Sequence, residues 1–250
     1  MSGMEKGRPA DQRSILAVDT SERKQARNLV AIARDAGAPI VKLGLQLSSA
    51  ESWKWCGKLA SSYDRDWVAD AKIDDIPTTT KGIVRNLLAL DHPPVGITIH
   101  TNSGVDSMRV AQELAEEADV TMLGVTHLTS IDDAESELTY GFLRKTLVAR
   151  RTNDAIRGGI GGLVSSAREV GAVANDRQSA HLVTMIPGTR SLSADAHDQK
   201  AIVTPEQAMI DGADFLVLGR QVTKALDPAA ELAAINQEIL QGLITRGETA

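Results

Sequence analysis

The segment Asp70-Ala71-Lys72-Ile73-Asp74-Asp75 sets three carboxylates and one ammonium within six residues, directly behind the apolar lead-in Trp67-Val68-Ala69. In an extended strand alternate side chains share a face, so Asp70 and Lys72 point the same way. Inside a parallel sheet both faces are normally apolar, and charge buried there costs on the order of several kcal/mol unless it is paired. Such groups are usually present for chemistry. A lysine between carboxylates is held protonated, and a carboxylate between lysines is held ionised. The bland alternative is a solvated ion pair on an exposed edge strand.

Other reactive side chains fall at the ends of other apolar runs: Asp19 after Leu16-Ala17-Val18, Lys42 after Ile40-Val41, and His100 after Ile97-Thr98-Ile99. Lys42, Asp70, Lys72 and Asp75 would form an array of alternating sign if those runs end at one place. A second kind of site is suggested by Asp214-Phe215-Leu216-Val217-Leu218-Gly219-Arg220, where a glycine exposes backbone amides and an arginine follows. Amides and a guanidinium suit a phosphate dianion. Taken alone, this could equally be a helix-entry turn with a surface arginine.

Stepping along the chain, eight short β-branched or apolar runs alternate with longer amphipathic stretches. Strands are expected at 14–19, 39–43, 67–72, 95–100, 120–126, 161–165, 181–186 and 214–219, and helices at 21–36, 48–63, 105–117, 134–153 and 228–243. Eight β-then-α units in 250 residues are what a single (β/α)8 barrel requires, and in that fold functional groups gather at the C-terminal strand ends. A doubly wound sheet would usually need fewer strands. The barrel is expected over 14–246, behind a loose segment 1–13. Ser21 and Thr204-Pro205-Glu206 read as helix starts, and Ala36-Gly37 and Asp211-Gly212 as helix ends. Pro77 disfavours helix at Ile76 and suits the first position of the next helix. Asp75 and Ile76 therefore belong to a loop, with Asp75 free to reach a neighbouring subunit. The polar stretch 187–200 far exceeds the about 2–6 residues of most such connections and reads as a lid carrying Arg190 and Gln199.

Composition removes several alternatives. A formal net charge of −6, with both signs mixed along the chain, argues against a nucleic-acid or anionic-membrane surface. One cysteine, Cys56, excludes an internal disulfide and a cysteine-based zinc site. His127, His181 and His197 lack partners at metal-ligand spacing, His100 reads as structural, and Val164-Ser165-Ser166 lacks the context of a nucleophile elbow. With no apolar run long enough for a bilayer and no signal-peptide core at the start, a cytoplasmic protein is expected.

Asp70–Thr79 also resembles the Asp-x-Lys-x-x-Asp-Ile-Pro-x-Thr signature of the orotidine 5′-phosphate decarboxylase family. Further blocks follow in the family's order: Leu16-Ala17-Val18-Asp19, Val41-Lys42-Leu43-Gly44, Val125-Thr126-His127-Leu128-Thr129-Ser130, Gly162-Leu163-Val164-Ser165-Ser166, Ile186-Pro187-Gly188-Thr189-Arg190, Asp198-Gln199 and Gly219-Arg220-Gln221-Val222-Thr223. The resemblance implies conversion of orotidine 5′-phosphate to uridine 5′-phosphate in pyrimidine synthesis, without cofactor or metal. It implies Lys72 as proton donor, Asp70 against the departing carboxylate, and Asp19 and Lys42 on the ribose. It further implies Thr129 on the pyrimidine, and Arg190, Gln199, Gly219 and Arg220 on the phosphate. Ile76 is implied as a further substrate contact, and a homodimer is implied in which Asp75 and Thr79 complete the partner's site. Two places depart from the family pattern. Asp74 stands where many bacterial members have histidine, and Thr101-Asn102-Ser103-Gly104 replaces a run of small residues and glycine. The nearest alternative is a magnesium-dependent sugar-phosphate decarboxylase or synthase of the same barrel suprafamily, disfavoured by Ile76-Pro77-x-Thr79 and the Thr126–Ser130 block. A non-catalytic phosphate-binding barrel is disfavoured by the charge array.

Overall fold

The computed structural model describes residues 3–191 and 203–248. Eight parallel strands close a barrel in chain order: β1 Ser14–Val18, β2 Ile40–Gly44, β3 Asp66–Ile73, β4 Gly96–His100, β5 Thr121–Val125, β6 Gly162–Val164, β7 Val183–Pro187 and β8 Phe215–Leu218. β8 returns to β1, with Ile15 opposite Val217. Around them lie α1 Arg23–Ala36, α2 Leu45–Ala50, α3 Trp53–Ser62, α4 Pro77–Leu88, α5 Val105–Glu117, α6 Asp133–Tyr140, α7 Arg144–Arg157, α8 Val170–Ala174, α9 Pro205–Ile210, α10 Arg220–Thr223 and α11 Pro228–Arg246. The expected single (β/α)8 barrel is the observed architecture.

Alternation within the strands divides the core in two. Leu16, Val18, Val41, Leu43, Trp67 and Ala69 face outward and bury against the helices. Ile15, Ala17, Ile40, Val68, Leu123, Met185 and Phe215 fill the interior of the barrel. The inward series runs on by steps of two into charge: Ile15 and Ala17 lead to Asp19, Ile40 leads to Lys42, and Val68 leads to Asp70. The apolar plug thus gives way to a polar floor within one residue step at the C-terminal mouth.

Several boundaries differ from expectation. The helix expected at 48–63 is two, α2 and α3, separated at Ser52, whose φ of 121° breaks the helix and whose hydroxyl accepts from the Trp55 amide at 3.3 Å. The helix expected at 134–153 is likewise two, because Gly141 adopts the left-handed conformation (φ 74°) after α6. Helix α1 starts two residues after Ser21, where the Thr20 hydroxyl, not that of Ser21, accepts from the Glu22 amide. The caps at Thr204 and Gly37 are as expected.

The described part of the opening segment packs against the N-terminal mouth of the barrel. Met4, 3% exposed, joins the interior core at the N-terminal mouth. Its amide donates to Thr121 Oγ1 at 2.9 Å, and the same hydroxyl donates back to the Met4 carbonyl at 3.1 Å. Lys6 pairs with Asp214 at 3.1 Å, and the Arg8 guanidinium lies 5.8 Å from the centroid of the Phe215 ring. Glycine at position 96 makes room, since a Cβ there would sit 2.9 Å from the Met4 sulfur. A lone apolar residue in a polar run carries no periodic signal, and that is why the seal was not foreseen.

Candidate active site

The site grows out of β3. This strand is longer than its neighbours, and between Ala69 and Ile73 its register against β4 slips: Ala69 faces Ile97, whereas Ile73 faces Ile99. The extra residues are absorbed at Lys72, whose φ of 44° is left-handed. A non-glycine residue held there stores on the order of 1 kcal/mol of backbone strain, a pattern that clusters at functional positions. Thr98, fully buried on β4, holds the bend: its hydroxyl accepts from the Lys72 amide at 2.8 Å and donates to Asp70 Oδ1 at 3.0 Å.

Asp70 is the hub. Its other oxygen, Oδ2, receives Lys72 Nζ at 2.7 Å and Lys42 Nζ at 2.9 Å. Lys42 also reaches Asp19 at 3.3 Å, although Asp19 itself is largely exposed. Burial pushes the Asp70 carboxyl up, but Lys42 and Lys72 outweigh it and bring its pKa down to about 2. Burial likewise pushes Lys42 down, and Asp70 and Asp19 more than reverse this, leaving it above its ordinary value. Asp70 is therefore ionised and Lys42 protonated at neutral pH, with two lysine nitrogens on one carboxylate oxygen.

These groups floor a cavity of about 460 Å³ at the C-terminal mouth. His127, Leu128 and Thr129, from the loop after β5, form one wall. At the opposite side are Gly188 and Arg190, after β7, with Gly219 and Arg220, after β8. Neither guanidinium has an ion-pair partner among the described residues, which leaves both available to an anion. At Gly219 a Cβ would meet nothing within 4 Å, so the chain there borders open cavity. Gln221, which the sequence analysis did not single out, ties the two loops together: its side chain accepts from the Ser191 amide at 3.2 Å and donates to Glu231 at 2.6 Å.

The expected residues do not all meet. Asp19, Lys42, Asp70, Lys72, Thr129, Arg190, Gly219 and Arg220 share this cavity. Asp75, Ile76 and Thr79 are exposed on the far side of β3 and do not line it. Asp75 accepts instead from the Ile76 amide at 2.8 Å, so within one chain the array has Asp19 where Asp75 was expected. The extended Ile76 and the proline at the start of α4 direct this loop away from the barrel. Gln199 lies outside the described residues, as does most of the expected lid. Among the described residues no group of three or more His, Cys, Asp or Glu could hold a metal ion, and no helix is long and apolar enough to cross a membrane.

Fold and site together define a class: a (β/α)8-barrel enzyme with a lysine–carboxylate cluster in its mouth and, from the loops after β7 and β8, two arginines without an ion-pair partner among the described residues. Within that class the chain belongs to the Orotidine 5'-phosphate decarboxylase / HUMPS family, whose profile matches residues 12–235. It is 37% identical over 228 residues to an orotidine 5'-phosphate decarboxylase of Methylorubrum extorquens (strain PA1), covering 91% of this chain and 95% of that one. It is 34% identical to the protein of the same name from Rhodospirillum rubrum, covering 90% and 93%. The crystal structure of orotidine 5'-phosphate decarboxylase from Lactobacillus acidophilus superposes with a TM-score of 0.77 over 91% of this chain and 99% of that one. At 24% identity that likeness concerns the fold.

Proposed function

We propose that this chain decarboxylates orotidine 5′-phosphate to uridine 5′-phosphate in pyrimidine synthesis. The observation that carries the reading is Asp70 held between Lys42 and Lys72, in one cavity with Arg190 and Arg220. The family relation supports the same substrate. The C6–carboxylate bond breaks, carbon dioxide leaves, and the electron pair stays on ring carbon six, where no conjugated sink receives it. Stabilisation must then be electrostatic, within the about 8–23 kcal/mol that enzymes supply in general. Lys72, on the floor, stabilises the developing carbanion and donates its proton to carbon six. Asp70 takes the position beside the departing carboxylate, and three hydrogen bonds prevent it from swinging away.

Asp19 and Lys42 hold the ribose hydroxyls, Thr129 the pyrimidine, and Arg190, Gly219 and Arg220 the phosphate, with Gln199 added from the lid. Binding energy at the phosphate then serves chemistry at the ring. Exposure of Asp75, Ile76 and Thr79 beside β3 fits a two-fold assembly in which each chain lends these residues to its partner. The magnesium-dependent sugar-phosphate alternative has no specific observation in its favour.

An absorbance assay of orotidine 5′-phosphate loss with excess chelator tests the reading. Turnover is expected to be insensitive to chelation, and Lys72→Ala to lose at least about a hundred- to ten-thousandfold in kcat. No turnover by the unaltered chain, or activity removed by chelation and restored by magnesium, overturns it.

A further inference from the structure

Asp74, in the loop after β3, and Asn102, after β4, touch each other. Asn102 Nδ2 donates to Asp74 Oδ2 at 3.1 Å, and Asn102 Oδ1 accepts from Arg151 Nη2 at 2.7 Å. The orientation of the amide is fixed by its partners, because a guanidinium only donates and a carboxylate only accepts. Arg151, on α7, is 8% exposed. Its Nη1 donates to the Thr126 carbonyl at 2.6 Å and lies 3.3 Å from His127 Nδ1. Its guanidinium carbon stands 4.8 Å from the centroid of the Tyr140 ring, and that ring meets the His127 imidazole edge-on at 5.7 Å. Every hydrogen bond that the guanidinium makes among the described residues goes to a neutral acceptor.

A buried cation with such partners is a poor source of stability, so its placement calls for another reason. Arg151 can only donate to Nδ1, which leaves the proton of the neutral His127 ring on Nε2 and fixes the tautomer. Burial first, with the cations of Arg144 and Arg151, pushes the His127 pKa down and keeps the ring neutral. The contacts thus run from Asp74, beside Asp75 in the loop after β3, through Asn102 after β4, to Thr126 and His127 after β5. His127 and Thr129 wall the cavity.

We propose that Arg151 is a positioning residue that acts through Asn102 on Asp74, and directly on Thr126 and His127, to tie the loops after β3 and β4 to the loop after β5 that walls the substrate cavity. The role rests on the decarboxylase reading above. Asp74 and Asn102 are then two ends of one link, and losing either end loosens the wall that meets the pyrimidine.

Steady-state kinetics on orotidine 5′-phosphate, with thermal melts alongside, test this in Asn102→Ala, Asp74→Ala, Asp74→Asn, Arg151→Met and the double variant Asp74→Ala/Asn102→Ala. Asn102→Ala and Asp74→Ala are expected to lower kcat/KM about tenfold, mainly through KM. Both positions are exposed, so their melting temperatures should stay near that of the unaltered chain. The double variant should fall within about twofold of the worse single one, because both break the same link. Asp74→Asn keeps an acceptor and should restore most of the loss. Multiplying losses in the double variant, or Asp74→Asn falling as far as Asp74→Ala, would overturn the relay even with an active parent. An inactive parent overturns the decarboxylase reading itself, and the relay with it. If Arg151→Met does not fold, the exposed pair decides alone.

Discussion

Asp70 unites stability and chemistry in one side chain. Its pKa is depressed from an ordinary 3.8 to about 2, so the folded state holds this proton less tightly than the unfolded chain. The corresponding stability, about 2 kcal/mol, is fully present above pH 4 and is lost as pH falls through 4 toward 2. Urea unfolding at pH 4 and pH 2.5 should show this decline in the unaltered chain and a shallower one in Asp70→Asn. Equal slopes in the two proteins would show that Lys42 and Lys72 do not hold the carboxylate ionised. The charge pattern of Asp70 and Lys72 was readable in the sequence, since it rests on an i, i+2 spacing. Thr98 was not: its partners lie 26 and 28 residues away, and nothing marks a strand threonine as one that holds a bend. The same holds for Arg151, 49 residues from Asn102.

At the scale of elements, β8 and its turn offer the cleanest test of the phosphate end. A Cβ at Gly219 would meet no protein atom within 4 Å, but its φ of −114° with ψ of −123° lies outside the regions open to other residues, so Gly219→Val should fold with a melting temperature somewhat below the parent's. Its side chain would nonetheless intrude on the space assigned to phosphate. Calorimetric binding of uridine 5′-monophosphate should weaken at least about tenfold, equivalent to about 1.4 kcal/mol; unchanged affinity would place the phosphate elsewhere. Elements were legible where local physics decides them. All eight strands were found because short apolar, often β-branched runs are set off by polar residues, glycine or proline. The caps at Thr204 and Gly37 followed from short-range hydrogen bonding. The breaks at Ser52 and Gly141 were missed for different reasons. A serine at φ 121° has no sequence signature, whereas Gly141 is a breaker hidden by amphipathic residues on both sides.

For the molecule as a whole, the proposed two-fold assembly makes Asp75 and Lys72 members of one site drawn from two chains. Mixing inactive Lys72→Ala and Asp75→Ala proteins under exchange conditions should restore up to about a quarter of the parental activity per total site, since half of the pairs are mixed and each mixed pair rebuilds one intact site. No recovery despite demonstrated exchange would end the shared-site idea. The overall barrel was readable from eight repeating units; the sealing of its lower mouth was not. That seal also sets an order of events during synthesis. Met4 waits for a partner 117 residues ahead, and Arg13, whose guanidinium meets Glu248 at 2.6 Å, for one 235 residues ahead. Residues made early are therefore among the last to find their places, and a nascent chain halted before Glu248 emerges has its strands but not its latch.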